Sequence, residues 1–89
     1  MESQLEEILI KEFNPDFLAY EFLDKGTINL VISSNCFINL PMQQRVRLVY
    51  ECIEKKFPVF LEEYVLYVNT FTPDEIHDLR DFYKINNEA

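Results

Sequence analysis

The chain holds a single glycine, a single histidine, two cysteines and no tryptophan in 89 residues. One glycine, Gly26, rules out the glycine-rich loops that cradle phosphates. One histidine, His77, leaves no Ser/His/Asp set, and its neighbours Ile76 and Asp78 offer no ligand partner at metal-site spacing. It reads as an ordinary surface residue, and no enzyme is expected. Cys36 and Cys52 form neither a C-x-x-C nor a disulfide framework. No apolar run approaches the roughly 18–20 residues of a membrane span. Positive charge is scarce as well. Eight Lys and Arg face sixteen Asp and Glu, for a net charge of −8. Nucleic-acid binders draw much of their affinity from phosphate neutralisation, and anionic lipid surfaces select for the same basic residues. Both are therefore poor partners for this chain. The acidic start, MESQLEE, is the opposite of a signal peptide's basic one. A cytoplasmic protein with reduced thiols is the expectation.

What the chain does hold is apolar and aromatic. Hydrophobic residues make up 48% of it, with eight Phe and five Tyr. That composition is too apolar for a disordered segment. A domain of this size buries only about 60–65% of its unfolded surface, so the core is thin but sufficient. One domain over 1–83 is expected, with 84–89 as a flexible tail.

The chain is organised around Phe37–Tyr50, FINLPMQQRVRLVY. Asn39 suits a helix N-cap and Pro41 the first turn. Met42, Val46, Val49, Tyr50, Ile53 and Phe57 recur at helical spacing, and Pro58 stops the run near Phe57. A first helix over 2–13 puts Leu5, Ile8, Leu9 and Phe13 on one stripe. Ser3 and Glu6 have capping-box spacing. Residues 17–23 and 28–33 read as a hairpin turning at Gly26. Leu18, Tyr20 and Phe22 share one side with Ile28, Leu30 and Ile32. A third strand at 64–70 turns Leu66 and Val68 to the core. Because a helix separates it from the second strand, the two should run parallel. Thr72-Pro73-Asp74-Glu75 reads as the cap of a last helix to about Tyr83, with Ile76, Leu79, Phe82 and Tyr83 on its apolar side. The order helix-strand-strand-helix-strand-helix predicts an α+β fold, a three-stranded mixed sheet covered by helices on one face.

These residues resemble the BolA-like proteins. The resemblance rests on Val31-Ile32-Ser33, then Phe37, then Arg45-Val46-Arg47-Leu48-Val49-Tyr50. A strand at 65–70 follows, leading into Phe71-Thr72-Pro73-Asp74-Glu75, and the match spans about residues 3–76. It implies a class II KH-like fold. It also implies a monothiol glutaredoxin as partner, iron–sulfur or iron regulation as context, and a shared two-iron, two-sulfur cluster. Some relatives are described as transcriptional regulators, which makes DNA binding the alternative function. The histidine that relatives carry between the two arginines is Val46 here, and a second aligns near Tyr64. The hairpin loop, Asp24-Lys25-Gly26-Thr27, holds no Cys or His. Clusters take thiolate or imidazole ligands. The expectation is therefore no cofactor in the isolated chain and docking that does not depend on a cluster. The Gly-x-x-Gly loop of nucleic-acid-binding KH domains is missing too.

The partner-binding candidates are Arg45, Arg47 and Tyr50. Arginine forks suit carboxylate and phosphate, and Arg47 is also placed for an i, i+4 pair with Glu51. A DNA reading would add Lys55 and Lys56. Cys36, in the connector before the main helix, is the candidate redox or ligand residue. Asp74, Glu75, Asp78 and Asp81 read as a solvated helix face. Phe17, Leu23, Val31, Val65 and Tyr67 would share the sheet face away from the helices. Exposed apolar area of that kind marks a possible homodimer or partner surface.

Overall fold

In a computed structural model the described residues are 2–77. Helix α1 spans Glu2–Phe13, strand β1 Phe17–Asp24 and strand β2 Thr27–Ser33. A 3₁₀ turn over Asn35–Phe37 leads to α2, Met42–Lys56, then α3, Pro58–Glu63, and β3, Val65–Phe71. Residues 73–77 are helical. The expected end of that helix near Tyr83, with Leu79, Phe82, Asp78 and Asp81, and the tail at 84–89 lie outside the described residues. Among the described residues no helix is long and apolar enough to cross a membrane.

The sheet runs β1-β2-β3. β1 is antiparallel to β2, and β2 is parallel to β3 across the helical crossover, as the sequence predicts. The hairpin turns on Lys25-Gly26, with Gly26 at φ 73°, a conformation a β-carbon disfavours. Leu18 pairs with Ile32, Tyr20 with Leu30 and Phe22 with Ile28, so these positions share one face. Leu66 and Val68 continue it on β3 opposite Ile28 and Leu30. α1 and α2 close over this face. Leu9, Leu30, Ile32, Phe37, Val49 and Ile53 are wholly buried between the layers. The Phe13 and Phe37 rings meet at 5.5 Å. Full burial of a side chain of this size is worth roughly 1.5–3 kcal/mol.

Two local expectations change, and one element is added. Asn39 does not cap α2. It takes φ 69°, a left-handed turn that asparagine tolerates, and Pro41 stands at the cap with no side-chain bond. Ser3 lies inside the first turn of α1 rather than before it, so it cannot be the N-cap there. The segment after Pro58 is a short helix of 6 residues, α3, where the sequence shows too few positions for a period to register.

The outer face of the sheet also differs from expectation. Val31 is only 3% exposed, between Ala19 and Asn69 in its row. Phe17 and Phe71 are half-buried beside the buried Ser33. The exposed apolar area contracts to Leu23, Val65 and Tyr67, all toward the hairpin end.

Candidate functional site

Arg45 and Arg47 stand one residue apart on α2, which turns about 100° per residue, so they cannot point the same way. Arg45 points inward and is 8% exposed. Its Nε donates to the Leu40 carbonyl at 2.8 Å, and its Nη1 meets Glu75 Oε1 at 2.7 Å. Glu75 closes a capping box that Thr72 opens. The Thr72 amide donates to Glu75 Oε1 at 2.8 Å, and the Glu75 amide to Thr72 Oγ1 at 3.3 Å. The Thr72 cap is therefore as the sequence predicts, but Glu75 is not simply a solvated acid. Its carboxyl is held below the usual range, first by the hydrogen bond from Arg45 and next by the Thr72 amide. Arg45 ties α2 to the start of the helix that follows β3.

Tyr50 is turned inward as well. It is half-buried, and its hydroxyl donates to the Leu66 carbonyl of β3. Burial raises the phenol's pKa, and the nearby Tyr67 adds to the rise. Of the three residues expected on the docking surface, Arg47 alone stands in solvent. The ion pairs among the described residues are Arg45–Glu75 and Lys56–Glu12, the latter at 3.6 Å. The expected pair with Glu51 is therefore not made. Arg47 instead borders a groove of about 280 Å³ with Leu40, Gln44 and Leu48. Of the four α2 cations that a DNA surface would use, Arg45 and Lys56 are already paired.

Cys36 is exposed at the rim of a second groove, of about 340 Å³, between the end of α1 and the middle of α2. Its amide donates to Ser34 Oγ at 3.0 Å, and its Sγ donates to the Phe13 carbonyl at 3.6 Å. Cys52 lines the same groove but is 6% exposed. Burial raises the Cys52 thiol's pKa most. The Glu12 carboxylate raises it further, and Lys56 lowers it somewhat. A thiol so placed is a poor nucleophile at neutral pH. Nothing in the spacing of the two cysteines shows that they share one groove.

The structure also brings together two positions far apart in sequence. The Val65 amide donates to the Gly26 carbonyl at 2.6 Å, so the hairpin tip rests on the junction of α3 and β3. The ideal β-carbon position of Gly26 lies 3.4 Å from the Glu63 carbonyl. Tyr64, in that junction, stacks on Phe60 with ring centroids 4.9 Å apart and meets Phe22 edge-on at 6.3 Å. The hairpin loop and Tyr64 are the places where the resemblance puts cluster ligands. Here they form one pole of the sheet, and its side chains are aromatic and carboxylate. No group of three or more Cys, His, Asp or Glu poised for a metal occurs among the described residues. At this pole the described side chains offer neither the thiolate nor the imidazole that an iron–sulfur cluster takes.

No family model and no curated protein matches the sequence. Solved structures do match the fold. BolA1 from Arabidopsis thaliana aligns at TM-score 0.69 and 28% identity, over 82% of this chain and 92% of its own. The BolA domain of SufE1 from Arabidopsis thaliana aligns at 0.69 and 25%, over 82% and 92%. A bol-like protein from Babesia bovis aligns at 0.71 and 25%, over 90% and 93%. Motif order, strand topology and these three alignments converge: the chain has the fold of the BolA-like proteins and is similar to them, with Val46 and Tyr64 where the resemblance puts histidines.

Proposed function

We propose that the chain is a non-catalytic partner module of BolA type, which docks to a monothiol glutaredoxin without supplying ligands to a shared cluster. The observation that carries this reading is the pole where the hairpin tip meets Tyr64. The fold keeps the two places where relatives hold ligands side by side, yet neither place offers an imidazole or thiolate. A protein that keeps the scaffold and loses the ligands keeps a shape for a partner to read. Iron–sulfur or iron regulation is the setting this implies, with the chain acting through association.

The test is an anaerobic titration of the isotopically labelled protein with a monothiol glutaredoxin, with and without iron and sulfide. Amide shifts and visible absorbance are followed together. Saturable amide shifts with no added absorbance band that depends on this chain support the reading. A band that forms only with both proteins overturns the ligand-free form, and its loss in Cys36→Ser would name Cys36 as the ligand. No shifts in either condition overturn the glutaredoxin reading altogether.

A further inference from the structure

The inference concerns the outer face of the sheet at its hairpin end. Ile28 and Leu66 are a paired row in the core, so the next rows outward face the other side. Those rows are Thr27 with Val65, and Glu21 with Asn29 and Tyr67. Val65 is 57% and Tyr67 56% exposed. Leu23 sits beside them where the β1–β2 register shifts, and is 49% exposed. The opposite end of the same face is closed, with Val31 and Ser33 buried. The patch is therefore local and does not extend over the whole sheet.

Its rim is acidic. Glu21 shares the Tyr67 row, Asp24 stands at the end of β1, and Glu62 and Glu63 end α3 just before Val65. All four are exposed, and Lys25 in the turn is the one cation in this set. None of the four forms an ion pair among the described residues. An apolar centre ringed by unpaired carboxylates selects a partner with the opposite rim, since like charges across an interface cost affinity and opposite charges speed encounter. That argues against a second copy of this chain, whose net charge is −8.

Strand β3 presents a face suited to a flat guest. Val65–Phe71, VLYVNTF, carries no charge, no proline and no bulge, the usual guards of an outer strand. Asn69 Nδ2 bonds Asn29 Oδ1 at 2.8 Å and the Leu30 carbonyl at 3.1 Å, which fixes the floor beside Tyr67. The Tyr50 hydroxyl already holds the Leu66 carbonyl, so approach onto the face disturbs less than addition along the edge.

We infer that Leu23, Val65 and Tyr67, with the carboxylates of Glu21, Asp24, Glu62 and Glu63, form a docking surface for an extended protein segment. That segment carries apolar side chains flanked by Lys or Arg. This inference does not depend on the partner being a glutaredoxin.

The test titrates the labelled full chain with a blocked heptapeptide, Lys-Arg-Val-Tyr-Val-Arg-Lys, and with the same peptide bearing Glu at its four basic positions. The expected result is saturable amide shifts centred on Thr27, Asn29, Val65 and Tyr67 for the basic peptide alone. Affinity falls about tenfold in the triple variant Glu21→Gln, Glu62→Gln, Glu63→Gln. Tyr67→Ser abolishes the shifts, and an unchanged unfolding midpoint shows that the fold is intact. Equal response to both peptides, or shifts elsewhere, overturns the inference. Shifts that follow the chain's own concentration instead would make the face a dimer contact and overturn it too. Glutaredoxin shifts confined to the Arg47 groove, with no peptide binding here, sink this surface and leave the proposed function standing. Peptide binding here with no response to glutaredoxin does the reverse.

Discussion

Arg45→Ala and Arg47→Ala remove the same side chain one residue apart and should behave very differently. In Arg45→Ala the Leu40 carbonyl loses a charge-assisted bond of 2.8 Å, worth about 1.5–3 kcal/mol. The buried aliphatic stem is lost with it. The Glu75 end adds little, because that carboxylate is 46% exposed and water takes over, so about 0.5 kcal/mol is a fair ceiling. The expected loss is about 2–3 kcal/mol, which for a domain of this size lowers Tm by roughly 10–20 °C. Arg47→Ala should stay within about 0.5 kcal/mol of the parent. Urea unfolding with matched slopes, or calorimetry, measures both. Equal losses, or an Arg45→Ala loss under about 1 kcal/mol, would refute the assignment of Arg45 as an internal brace.

Three further outcomes follow from the same contacts. The Glu75 pKa is lowered on folding, so its contribution is present above the unfolded value near 4.5 and lost as pH falls through the folded one. Glu75→Gln should therefore flatten the drop in stability that the parent shows between about pH 5 and pH 3, and an identical acid limb in the two proteins would count against the pair. Ser33 and Ser34 are adjacent and both wholly buried, yet Ser34 Oγ donates to the Phe13 carbonyl at 2.5 Å, while Ser33 Oγ has no hydrogen-bond partner among the described residues. Ser34→Ala should cost about 1–3 kcal/mol and Ser33→Ala close to nothing, read from chemical denaturation. A disulfide reagent at neutral pH should modify Cys36 in the native state and Cys52 only on unfolding, and two equally fast thiols would contradict the burial of Cys52.

Much of this protein is written locally in its residues. The stripe Leu5, Ile8, Leu9, Phe13 sets α1, and Gly26 sets the hairpin through the one turn position that needs positive φ. Thr72 and Glu75 set the reciprocal cap after β3. Pro58 stops α2 within a residue of where periodicity ends it. These features depend on neighbours within a few positions, so a sequence pattern carries them. Even the family resemblance is of this kind, an ordered set of short local motifs.

Tertiary structure decided which of those residues are available to a partner. Arg45 and Arg47 look equivalent in sequence, but only one faces Glu75, thirty positions away. Tyr50 reads as a docking residue until β3 supplies the Leu66 carbonyl. The hairpin tip meets Tyr64 only because the parallel crossover returns β3 beside β2. Val31 is buried although its strand pattern puts it on the outer face, and the exposed apolar residues of that face are confined to the hairpin end. Helix and strand periods say which residues share a face, but what lies opposite that face is set by the packing of distant segments, which no local pattern encodes.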